Sequence, residues 1–128
     1  MTHPKVLAAS LALATALGTL AAAHAATPAK AFPAADYGAG GHTLSFDGKG
    51  GVRLLNDADH TVLVDGSYAV EGTELMLTDR SGPYACTGDK AKATYRWSVD
   101  GGALVLAKVT DPYDGRAGDL TRAHWTHK

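Results

Sequence analysis

From His42 onward the sequence predicts an all-β domain, an antiparallel up-and-down meander of about eight short strands that closes into a small barrel behind an N-terminal signal peptide. Three observations predict it. Short runs alternate apolar and polar residues at period two, the repeat of a strand with one wet face. Clusters of Gly with Asp or Asn stand between the runs and supply the backbone freedom of tight hairpin turns. No long helical period separates the runs, so successive hairpins are left to pair with one another, and closure removes the unpaired edges.

Residues 1–25 read as a secretory leader. His3 and Lys5 make a short basic start, residues 6–23 form an uncharged run rich in Ala and Leu, and Ala23-His24-Ala25 has the small-x-small form of a cleavage site. An exported protein is expected, periplasmic or secreted. No second apolar stretch of about 20 residues follows, so no integral membrane span is expected once the leader is removed. The leader carries one of the 12 basic residues and none of the 13 acidic ones, leaving 11 against 13 and a net charge of −2. That balance gives nucleic acid no basic surface to bind. The remaining 103 residues suffice for one core. Export permits disulfides, yet Cys86 is the only cysteine and no intramolecular bridge is possible.

Residues 26–41, ATPAKAFPAADYGAGG, are expected as a flexible lead-in, because Pro28, Pro33 and the Gly/Ala cluster argue against a regular element. Phe32 and Tyr37 are its candidates for tucking against the body. Residues 42–128 are expected as a single barrel domain with strands at 42–46, 51–55, 60–64, 67–70, 75–78, 94–99, 103–109 and 123–127. The turns between them include Asp65-Gly66, Gly72-Thr73 and Asp100-Gly101-Gly102. The best-formed hairpin spans 94–109: Tyr95, Trp97 and Val99 share one face while Thr94, Arg96 and Ser98 share the other. A weaker copy runs from Ser67 through Gly72 to Leu77. Two longer interruptions, 79–93 and 110–122, are expected as loops, the second with one helical turn near 117–120. Long loops are where small barrels usually carry function.

Several of these residues carry a family likeness. Gly72, Leu75-Met76-Leu77-Thr78-Asp79, Ser81-Gly82-Pro83-Tyr84-Ala85-Cys86, Tyr95-Arg96-Trp97-Ser98-Val99-Asp100-Gly101 and Asp111-Pro112 with Gly115-Arg116 together resemble small exported bacterial proteins of uncharacterised function with a lipocalin-like (calycin-type) barrel. The likeness covers about residues 64–125 and implies a closed barrel with, at most, a cavity for a small, largely apolar molecule. In such relatives a cysteine often follows the Asp-Pro pair and could bridge to the position of Cys86. Here Tyr113 stands in its place, so the resemblance implies no disulfide for this chain.

Reacting groups are scarce, and no enzyme is expected. His124 and His127 are three apart and point to opposite faces of an extended chain, which does not make a metal site. Asn56, Asp57 and Asp59, and likewise Asp111, Asp114 and Asp119, lack the ordered spacing of a calcium loop and read as turn chemistry, although Asp111 and Asp114 bracket Pro112 and could converge. There is no Gly-x-Ser-x-Gly elbow, Cys86 has no base near it in sequence, and Gly38-Ala39-Gly40-Gly41 lacks the helix and Lys of a phosphate cradle. No cofactor is implied.

The aromatic and charged residues on and around the long loops are therefore the candidate ligand-binding set: Tyr84, Tyr113 and Arg116 at the rim of one open end, Cys86 beside them, and Tyr68 and Trp97 toward the floor. The core of a small barrel is the other place for Tyr68, Tyr95 and Trp97. Arg116 is expected to meet a ligand carboxylate, since its planar fork binds such groups with two parallel bonds. The expected function is non-enzymatic binding of a small apolar or amphipathic ligand. The alternative is a protein-interaction module, such as an inhibitor of an exported protease, whose segment 26–41 enters the cleft of an envelope partner.

Overall fold

The computed structural model describes residues 31–128; the expected leader and the first residues of the lead-in lie outside them. Eight strands run in chain order: β1 (Asp36–Ala39), β2 (His42–Phe46), β3 (Gly51–Asn56), β4 (Val62–Glu71), β5 (Glu74–Ser81), β6 (Lys92–Asp100), β7 (Ala103–Thr110) and β8 (Trp125–His127), with one helix, α1 (Asp114–Arg122), before the last. Each strand pairs antiparallel with its predecessor, and β1 closes the barrel on β8 through Tyr37 opposite His127 and Gly38 opposite Thr126. The all-β meander is thus as expected, and the two similar hairpins are β4–β5 and β6–β7, which lie side by side.

Alternation decides which side chains face inward. Tyr37, Leu75, Tyr95, Leu104 and Leu106 are the largest fully buried side chains, joined by Leu44, Phe46, Trp97 and Trp125. Burial of each leucine contributes about 2 kcal/mol. Because consecutive strands reverse direction, the turns after β2, β4 and β6 lie at one end of the barrel and those after β1, β3, β5 and β7 at the other. Hydrogen bonds to the turns mark both ends: from the strands, Tyr68 N–H donates to Gly50 O (2.9 Å) and Trp97 N–H to Thr73 O (2.9 Å) at the first, and Asp57 N–H donates from one turn to Gly41 O of another (2.9 Å) at the second.

The first end is closed by aromatic rings. Phe32 packs against Phe46, Trp97 and Tyr68 at centroid distances of 5.0, 5.3 and 5.8 Å, edge to face in the first two pairs. The indole N–H of Trp97 donates to Gly72 O at 3.0 Å, which satisfies its one polar atom.

Three expectations are corrected. Segment 26–41 is not a lead-in throughout: Asp36–Ala39 is a barrel strand, Tyr37 is buried with its hydroxyl donating to Pro33 O at 2.5 Å, and Phe32 belongs to the aromatic plug. The arm expected to enter a partner's cleft is, from Phe32 onward, built into the barrel. A strand with one large apolar residue among Gly and Ala carries almost no periodic signal, and of its two neighbours only β2 is close in sequence, while β8, which closes the barrel, lies at the far end of the chain. The turn expected at Asp65-Gly66 is instead the middle of the continuous strand β4, where the pairing with β5 shifts register. A Cβ at Gly66 would stand 2.3 Å from Thr78 O, so glycine answers to close backbone approach there rather than to chain reversal. The helical turn near 117–120 is a nine-residue helix. Gly115 and Gly118 depress its intrinsic propensity, but Ala117 and Leu120 are buried against the barrel, and the Trp125 indole N–H donates to Leu120 O at 3.1 Å. Tertiary packing sets its length.

Candidate functional site

The second end is open. A cavity of about 620 Å³ lies there, within the range of small-molecule sites. Its floor is apolar, made by Leu44, Val52, Leu54, Val64 and Leu77 from the inner faces of β2 to β5 together with Leu120 of α1. Its rim is formed by the 82–91 loop, including Tyr84, Cys86 and Lys90, and by Tyr113 to Arg116 at the start of α1. The loop is held over the mouth by its backbone. Tyr84 N–H donates to Leu63 O at 3.0 Å, Ala85 N–H donates to Gly82 O at 3.1 Å, and Gly88–Lys90 makes one 3₁₀ turn. Gly82 permits the entry, with φ at 116° and a hypothetical Cβ only 2.3 Å from Leu63 O.

A buried ionic network ties loop, helix and barrel together. Arg116 Nε and Nη2 donate to Asp111 Oδ2 and Oδ1 at 2.8 and 2.7 Å, a two-pronged pairing. Its Nη1 donates to Asp79 Oδ2 (3.1 Å) and Ala91 O (3.2 Å), and Nη2 also donates to Lys90 O (2.8 Å). These contacts use all five guanidinium N–H groups. Asp111 accepts in addition from the Tyr95 hydroxyl and from Tyr113 N–H at 2.8 Å, and its side chain has no exposure. Burial pushes the Asp111 carboxyl up, but the bonds from Arg116, Tyr95 and Tyr113 outweigh it and hold the group below the ordinary aspartate range. Burial, with the same carboxylate beside it, pushes the Tyr95 hydroxyl far up, so Tyr95 stays protonated and donates to Asp111.

Of the six residues singled out from sequence, Tyr84, Cys86, Tyr113 and Arg116 all line the cavity. Tyr68 and Trp97 do not; they belong to the plug at the opposite end. Tyr84 and Tyr113 are exposed and frame the opening. Cys86 is half-buried and unpaired, and its N–H donates to Asp79 Oδ2 at 2.8 Å. Burial pushes its thiol up, Arg116 pulls it down and Asp79 raises it again, with a net rise that keeps it protonated at neutral pH and weakly nucleophilic. Arg116 sits where a ligand-binding arginine was expected, but its donors are spent within the protein. Asp111 and Asp114 do not converge, for the first is buried on Arg116 and the second is exposed.

Sequence reading missed Asp79, Tyr95 and Asp111 as members of one site. A parity signal was present: Asp79 stands two and four residues beyond Leu77 and Leu75, on the core face of β5. A carboxylate in phase with core leucines requires a buried partner. Among the described residues no group of three His, Cys, Asp or Glu side chains is arranged to hold a metal ion, and no helix is long and apolar enough to cross a membrane. Compared with known proteins, the chain matches no family model, no curated protein and no solved structure. The eight-stranded closed antiparallel barrel is consistent with the lipocalin-like likeness read from the sequence.

Proposed function

We propose that this protein is an exported, non-enzymatic, lipocalin-like carrier that holds a small amphipathic molecule in the mouth of its barrel. The observation that carries the reading is the 620 Å³ cavity with a leucine- and valine-lined floor beneath a polar rim. An apolar floor rewards burial of a hydrocarbon at about 25 cal/mol per Å², while the rim keeps one polar end of the ligand in contact with hydrogen-bonding groups. The rim is held in place before any ligand arrives, because Arg116 ties the 82–91 loop and α1 to β5 and to Asp111 just past β7. Preorganisation of that kind lowers the ordering cost of binding. The leader-like residues 1–25 support export.

Titration with the apolar dye Nile red tests it. A saturable rise in emission is expected, and Leu54→Trp, which fills the floor, is expected to abolish it while the thermal midpoint changes by only a few degrees. Undiminished dye binding by a folded Leu54→Trp protein would overturn the reading.

A further inference from the structure

The polar wall of the cavity is unequal in what it offers a ligand. Arg116 is the strongest charge there, yet it has no N–H left to give. Asp79 is different. Its side chain is 10 % exposed and lines the cavity, and its Oδ2 accepts both Cys86 N–H and Arg116 Nη1. Among the described residues no N–H or O–H donor reaches its other oxygen, Oδ1. The Cys86 thiol also bonds this carboxylate, as a weak donor. A buried carboxylate oxygen carries most of a charge-assisted bond's strength only when such a donor arrives.

Charge points the same way. Two carboxylates face a single guanidinium here, Asp79, which lines the cavity, and Asp111, which is fully buried and does not, a local excess of one negative charge. The other charged side chains around the cavity, Arg53, Lys90 and Asp119, belong to exposed residues, and Asp119 is already paired with Arg122 at 2.7 Å. Solvent screens these far more than it screens the buried trio.

We infer that the cavity selects a cationic amphiphile, an apolar chain ending in a protonated amine, whose ammonium group donates to Asp79 Oδ1 while the chain lies on the leucine floor. This rests on the reading of the mouth as a binding cavity. It reverses the preference that an unengaged Arg116 would impose, because an anionic head would find no donor on the guanidinium and would stand against Asp79.

Calorimetric titration of the purified protein at pH 7 with decylamine, 1-decanol and decanoate, each below its micelle concentration, tests the inference. Decylamine is expected to bind about tenfold more tightly than decanoate, with decanol between them. Asp79→Asn keeps an oxygen for Arg116 and is expected to bring the amine-to-acid ratio close to one. If decanoate binds as tightly as decylamine or more so, the head-group assignment is wrong although the cavity binds. If none of the three binds, the cavity reading itself falls with it. Retention of the amine preference by a folded Asp79→Asn protein overturns the role of Asp79. Should that variant fail to fold by circular dichroism, the ranking of the three ligands on the unaltered protein decides.

Discussion

The two ends of the barrel are closed by opposite means. At the plugged end, Phe32, Phe46, Tyr68 and Trp97 fill the space by shape, with one indole hydrogen bond to Gly72. At the mouth, Arg116, Asp111, Asp79 and Tyr95 hold a loop and a helix by charge, and a cavity is left beneath them. Aromatic packing tolerates no void, since contact falls off within a fraction of an ångström. An ionic network fixes positions at a distance from the core and so can frame an empty space. The difference explains why the same strands end in a solid core at one side and an opening at the other.

The contrast is broken most forcefully at Arg116. Arg116→Ala leaves Asp111 buried without its main partner and is expected to cost about 3–5 kcal/mol in urea unfolding at pH 7. The cost should depend on pH. A carboxyl held below its unfolded value of 3.8 contributes stability that is present above that value and lost as pH falls through the folded one. The unaltered protein therefore weakens below about pH 4, whereas in the variant Asp111 has lost its guanidinium partner and protonates more readily. The gap between the two is expected to narrow as the solution is acidified, and a gap that stays constant from pH 7 to pH 3 would show that lost packing, not charge, is responsible.

At the other end, Phe32→Ala removes a partly buried ring in contact with three others. A loss of about 2 kcal/mol is expected, with no change across the same pH range and no change in Nile red binding at the mouth. Impaired dye binding in this variant would mean that the two ends are coupled. Tyr95→Phe, which deletes the hydroxyl that donates to Asp111 while keeping the ring, is expected to cost about 1.5 kcal/mol. Measured beside Arg116→Ala and the double variant, it gives the coupling within the network, and strict additivity would argue that the two residues serve Asp111 independently.

The smallest effect concerns the β3–β4 turn at the mouth, where His60 holds φ at 62°. His60→Gly relieves that backbone and is expected to gain about 0.5 kcal/mol, the relief being partly offset by greater chain freedom in the unfolded state. A loss instead of a gain in thermal midpoint would show that the His60 side chain contributes more than its backbone costs.

The alternation of 42–46 and 94–109, and the Gly/Asx turns between runs, determined by themselves that the chain forms an antiparallel β-meander. Both signals are local: side-chain parity and turn dihedrals are fixed within a few residues. That two long interruptions follow β5 and β7 was also legible, because breaks in alternation mark where strands stop, although β5 continues through Asp79 to Ser81 and the second interruption is mostly the helix α1. Only the tertiary structure decided that Asp36–Ala39 closes the barrel on β8, since that partner is at the far end of the chain and the segment's composition is that of a linker. It likewise decided that Tyr68 and Trp97 plug one end while Asp79 and Arg116, 37 residues apart, meet at the other. The register of β5 against β6 and the docking of α1 bring those groups together, and neither is written in any window short enough to read from the chain. The role of Arg116 changed for the same reason: how many of its donors are free depends on the carbonyls of Lys90 and Ala91 and on two carboxylates, all of which converge on it only in the folded barrel.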